Sequence, residues 1–265
     1  MISGFDHLVV AVRDLARGVR AYETLLGRSA EPMREDDGVA TALIVTDNVA
    51  AELMAPVGDG ETAQRLRAAL EAGEGLKSVV FASEDLASTH RRCERVGLAP
   101  AAISERAGWS SFRIDTERSH GVRLFALQRA VPLSAQPAAT GGVTGLDHIV
   151  IRTPDADRAA ALYGARLGLD MRLDREVRGA KLMFFRCGDA IVEIVHDATL
   201  AGADRLWGIS WRVADADAAR ARLAAAGVDV SEVRTGMKPG TRVFTVRNQS
   251  GGVPTLMIEP SRNRD

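Results

Sequence analysis

The chain has 265 residues, about two domains' worth at the usual hundred-odd residues each. Hydrophobic residues make up 46% and charged residues 26%, which excludes a disordered chain, a collagen or a disulfide scaffold. Thirty-four Lys and Arg against 35 Asp and Glu leave a formal charge of −1, so there is no electrostatic footprint for nucleic acid or an anionic membrane.

The N-terminus lacks a basic region followed by an apolar stretch, and no window reaches the roughly 18 apolar residues of a membrane span. Cys93 and Cys187 lie far apart in apolar surroundings and read as reduced, buried thiols. A cytoplasmic protein, as a monomer or homodimer, is expected, with a small molecule rather than nucleic acid or membrane as its partner.

In chain order, Phe5-Asp6-His7-Leu8-Val9-Val10 is a strand, followed by a helix from Asp14 to Leu26. Asp14 stands at the N-cap and Gly27 at the left-handed C-terminal position. Strand patterns follow near 29–34, 39–45 and 50–55, and Glu61–Glu71 reads as a linking helix with a solvated charged face. A second unit has its strand before Asp85, a helix to Val96 and Gly97 after it. Residues 130–144, rich in Pro, Ala, Gly and Thr without periodicity, read as a linker between domains 1–129 and 145–262. The opening strand then recurs as Leu146-Asp147-His148-Ile149-Val150-Ile151, 141 residues later. At that offset Asp14 meets Asp155, Tyr22 meets Tyr163, Leu26-Gly27 meets Leu167-Gly168 and Glu52 meets Glu193. The stretch from Val80 through Asp85 to Gly97 recurs 130 residues later, through Asp215 to Gly227. The fold class is therefore α+β, four βαβββ units in two related domains.

A His on an opening strand and a Glu 45 residues later occur in both halves. Alternation puts Phe5, His7 and Val9 on one face, and Ile191, Glu193 and Val195 on one face. A carboxylate among apolar neighbours needs a metal, an Arg or hydrogen-bond donors.

The paired βαβββ units, the Asp-His strand, the helix ending in Leu-Gly and the later Glu resemble the vicinal oxygen chelate superfamily. That superfamily includes glyoxalase I, fosfomycin and bleomycin resistance proteins and extradiol dioxygenases. The resemblance implies two half-barrel cups, each able to hold a divalent metal on ligands from its first and last strands. It assigns His148, Glu193 and Glu259 to the metal of the C-terminal cup, and His7 with Glu52 to a degenerate second site. Two further His positions are occupied by Ser78 and Gly208, and the counterpart of Glu259 is Leu127 or Gln128 depending on a one-residue gap. One imidazole with two carboxylates suits Zn, Mn, Fe(II), Mg or Ni, leaving room for a bidentate oxygen substrate.

The function this implies is a lyase or isomerase working through a metal-bound enolate, with Glu259 and His120 as catalytic groups. Arg242 and Arg186 would bind an anionic end of the substrate, and Trp207 would line the pocket wall. Ser78 and Gly208 support the alternative, a metal-free small-molecule-binding or drug-sequestering protein. The lack of a second His in the C-terminal cup counts against ring cleavage. Phosphate loops, nucleophile elbows and paired-Cys zinc spacings are absent from the sequence.

Overall fold

In the computed structural model, residues 1–177 and 179–261 are described. The first repeat consists of β1 (Ile2–Ala11), α1 (Leu15–Leu26), β2 (Arg34–Asp36), β3 (Val39–Val45) and β4 (Ala50–Pro56). After α2 (Glu61–Glu71) the second runs through β5 (Gly75–Ser83), α3 (Leu86–Arg95), β6 (Ser104–Arg106), β7 (Trp109–Arg113) and β8 (Arg123–Arg129). The third comprises β9 (Val143–Thr153), α4 (Ala156–Ala160) continuing as π-helical turns over Ala161–Arg166, β10 (Asp170–Val177), β11 (Ala180–Cys187) and β12 (Ala190–His196). The fourth comprises β13 (Arg205–Val213), α5 (Ala216–Ala225), β14 (Arg234–Thr235), β15 (Arg242–Val246) and β16 (Thr255–Glu259).

Each repeat helix starts at an aspartate whose carboxylate accepts backbone N–H groups of the first turn: Asp14 from Arg17, Asp85 from Ser88, Asp155 from Arg158, and Asp215 from Asp217 and Ala218. These bonds satisfy donors that the helix itself leaves without partners. Gly27, Gly97, Gly168 and Gly227 all have positive φ, as the left-handed exit requires. The first short strand lies at Arg34–Asp36, later than the alternation near 29–34 suggests.

Hydrogen bonding gives two eight-stranded mixed sheets, ordered β2-β3-β4-β1-β5-β8-β7-β6 and β10-β11-β12-β9-β13-β16-β15-β14. The second order is the first shifted by eight strands, as a duplicated α+β chain of four βαβββ units demands.

Packing gathers the chain into two units that do not coincide with the sequence halves. The first unit contains Met1–Leu8, Lys77–Pro132 and His148–Trp207; the second contains Val9–Leu76, Leu133–Asp147 and the chain from Gly208 onward. Each unit draws on both halves of the duplication.

In the second unit, the charged face of α2 is only one of its faces. Ala63, Leu66 and Leu70 pack with Ala11 and Val39 in an apolar cluster. Within the same unit Arg28, 6% exposed, holds the linker by donating to the carbonyls of Gln136 and Val143 and pairing with Asp47. Cys93 and Cys187 are free and buried, and burial pushes the Cys93 thiol up to about 11. Among the described residues no helix is long and apolar enough to cross a membrane.

Candidate functional site

In the first unit β9 and β12 run parallel, with His148 opposite Ile191 and Val150 opposite Glu193. Residues in register share a face of the pleat. His148 and Glu193 therefore project to one side, where His148 Nε2 lies 3.2 Å from Glu193 Oε2. The next strand extends the row, with Arg186 of β11 opposite Ile191 and Phe184 opposite Glu193. Beyond it, on β10, Leu173 faces Phe184 and Arg175 faces Leu182.

The reverse side of these strands is core. Ile149, Ile151, Val192, Ile194, Met183 and Phe185 are fully buried, and the Phe185 ring sits 6.2 Å from that of Tyr163 in the helix. On the His148 side, Ile191, Val195 and Phe184 are only partly buried and Arg186 is exposed. The strands therefore present a partly exposed, largely apolar face on which His148 meets the buried Glu193.

Also in the first unit, His7 on β1 has Nδ1 2.6 Å from Asp6 Oδ1, and Arg129 grips both Asp6 oxygens at 2.8 Å. Burial by itself would raise the Asp6 carboxyl, but the hydrogen bonds from His7 and Arg129 outweigh it and hold the group below its ordinary range. This Arg–Asp–His chain fixes the His7 ring through Nδ1. Glu52 belongs to the second unit, on β4 opposite Leu43, and is half-buried.

His120 lines a different cavity of the first unit, of about 370 Å³, with Arg158, Thr116, Glu117, Gly121 and Ala203 among its walls. Burial, then the nearby Arg158 charge, lower the His120 pKa, which favours the neutral ring. Its φ of 56° is matched by Gly251 at 60° in the corresponding turn of the fourth repeat. Both turns are closed by the same bond, Val122 N–H to Ser119 O and Val253 N–H to Ser250 O. Trp207 is 46% exposed, with the Arg152 guanidinium 5.8 Å from its ring.

In the second unit, Glu259 follows the parity of Thr255 and Met257, the buried side of β16, whereas Leu256 and Ile258 are partly exposed. Its carboxylate accepts the Ala216 N–H at the start of α5 and lies 3.4 Å from Arg242 Nη1. Arg242 in turn binds Asp217 at 2.7 Å, so this arginine serves the same helix terminus. The first unit repeats the device, since Gln128 Oε1 accepts the Leu86 N–H at the start of α3. The registers Val79 opposite Leu124 and Ile209 opposite Thr255 make Gln128, not Leu127, the counterpart of Glu259.

Gly208, where a second imidazole is expected in the C-terminal half, is closed to any side chain. A Cβ there would stand 2.9 Å from the Pro254 carbonyl oxygen. Among the described residues no group of three or more His, Cys, Asp or Glu could hold a metal ion. His148 and Glu193 fit two ligand positions, and the remaining expected donor is engaged at a helix end. The residues present do not fit a tightly held three-ligand metal.

Sequence reasoning left Gln128 and Leu127 both open as the counterpart of Glu259, and missed Arg175 and the paired Arg92 and Arg222. The last pair carried a signal, because they recur at the same 130-residue offset.

Comparison with known proteins agrees with this architecture. The glyoxalase-like domain family matches residues 5–168, and the glyoxalase/bleomycin resistance protein/dioxygenase superfamily matches residues 145–253. The chain belongs to this superfamily, the vicinal oxygen chelate proteins. No curated protein sequence matches it. Among solved structures, a variant of 4-hydroxymandelate synthase from Streptomyces coelicolor is 15% identical with TM-score 0.75, over 99% of this chain and 94% of that one. The Mn(II)-bound glyoxalase from Novosphingobium aromaticivorans is 16% identical with TM-score 0.71, over 97% and 82%. A halotolerant catechol dioxygenase is 17% identical with TM-score 0.72, over 100% and 89%. At these identities the likeness shows the fold, which hosts many chemistries.

Proposed function

We propose that the chain is a small-molecule-binding protein of this superfamily that holds its ligand without a resident metal ion, with His148 and Glu193 as the polar centre of the binding surface. The observation that carries the reading is the engagement of Glu259: its carboxylate accepts the α5 N–H of Ala216 and lies beside Arg242. Gly208, with no room for an imidazole, supports it. On this partly exposed face, the His148–Glu193 pair would meet a polar ligand group, while Ile191, Phe184 and Val195 would supply apolar area. A cytoplasmic setting accords with two free, buried cysteines.

Elemental analysis of protein purified without chelator tests this reading. The expected result is metal well below one ion per chain, unchanged by His148→Ala. Near-stoichiometric Mn, Fe, Zn or Ni that is lost in His148→Ala or Glu193→Gln would overturn it in favour of the metal-dependent lyase or isomerase.

A further inference from the structure

We infer that the ligand of this surface carries a carboxylate, bound by Arg186, on an apolar or aromatic body laid against Phe184. The inference rests on the proposed metal-free binding at His148 and Glu193.

Strand register places Arg186, Ile191 and His148 in one lateral row across β11, β12 and β9. Two strand spacings, about 10 Å, separate the backbone positions of Arg186 and His148. The adjacent row carries Phe184 and Glu193. A molecule lying between Arg186 and the His148–Glu193 pair would thus cross Ile191 and Phe184, an apolar floor.

The charge on this face is unbalanced. Glu193 is met by His148, and Asp170, opposite Arg186 on β10, has its carboxylate on Arg172 at 2.9 Å. Arg186 is exposed, and among the described residues it has no hydrogen bond or ion pair. Arg175 lies with its guanidinium 5.7 Å from the Phe184 ring centre, and its buried Nε has no hydrogen-bond partner among the described residues. A buried donor left without an acceptor is costly, so an incoming acceptor gains from satisfying it. One arginine over the phenyl ring and a second two residues along the same strand face, beside apolar Ile191, are complementary to a carboxylate attached to a flat apolar group. Arg242 offers no such site, because Asp217 and Glu259 already occupy it.

Titration calorimetry with 3-phenylpropanoate and its neutral counterpart 3-phenylpropanol provides the test, on the full-length protein and its Arg186→Gln, Arg175→Gln and His148→Ala variants. The acid should bind about tenfold or more tighter than the alcohol, the scale of one charge-assisted bidentate contact. Arg186→Gln should remove most of that preference, and Arg175→Gln should reduce it further by weakening the acid selectively. Equal binding of acid and alcohol, unaffected by Arg186→Gln but weakened by His148→Ala, would overturn the carboxylate assignment and leave binding at His148 standing. Binding of neither compound to the folded wild type would overturn both.

Discussion

Glu259 shows how much a single strand position decides. On sequence its carboxylate is a metal ligand; in the fold it is an acceptor for the first N–H of α5, partly neutralised by Arg242. A negative charge near a helix N-terminus stabilises it by roughly 0.3–1 kcal/mol, and the hydrogen bond contributes separately. Gln128 performs the same task for α3 with a neutral amide. The two contributions can therefore be separated. Glu259→Gln retains an acceptor and should cost under about 1 kcal/mol in urea unfolding. Glu259→Leu leaves the buried Ala216 N–H without its acceptor, while Arg242 keeps Asp217, and should cost about 1–3 kcal/mol. Equal losses in the two variants would show that charge, not the hydrogen bond, holds the helix end. Tyr163 marks the opposite case. The sequence equates it with Tyr22, yet Tyr22 donates to Ser250 O at 3.1 Å while the buried Tyr163 hydroxyl has no hydrogen-bond partner among the described residues.

At the scale of elements, the repeat and the four aspartate caps made the fold legible, because capping chemistry is local and leaves a fixed sequence mark. The candidate site was only half legible. Alternation correctly groups Glu259 with Met257, but it does not say which face of Thr255–Glu259 meets the helix, since apolar residues occupy both. For β12 the partners Phe184, His148 and Val150 settle the face, and that information lies in register rather than in composition. The caps also give a quantitative expectation. Asp215 accepts two amides, from Asp217 and Ala218, so Asp215→Ala should destabilise the protein by about 1 kcal/mol, within the 0.5–2 range of such changes. Hydrogen exchange at those two amides should accelerate while amides of β9 stay protected. Unchanged exchange at Asp217 and Ala218 would mean that the cap contributes nothing to the stability of α5.

At the scale of the whole molecule, the duplication reads as two successive domains in sequence, yet each packed unit combines parts of both halves. The reason lies in long-range contacts that a one-dimensional pattern does not display. In the second unit Arg222 of α5 donates to the carbonyls of Thr24 and Leu25 at the end of α1. In the first, Arg92 of α3 donates to the carbonyls of Ala165 and Arg166, and Arg166 returns the contact to Val96 and Gly97. Arginines thus satisfy helix C-terminal carbonyls contributed by the other half of the sequence. Burial lowers the Arg222 pKa, the cost of placing that guanidinium among packed helices. Cutting the chain in the linker should therefore not separate two autonomous domains. Residues 1–135 and 136–265 co-expressed as separate chains should co-purify and unfold together, whereas each alone should aggregate or unfold without a cooperative transition. Arg92→Ala combined with Arg222→Ala should weaken that association by removing these clasps from both units. Two halves that are each monomeric, cooperatively folded and indifferent to one another would refute the mutual dependence of the halves.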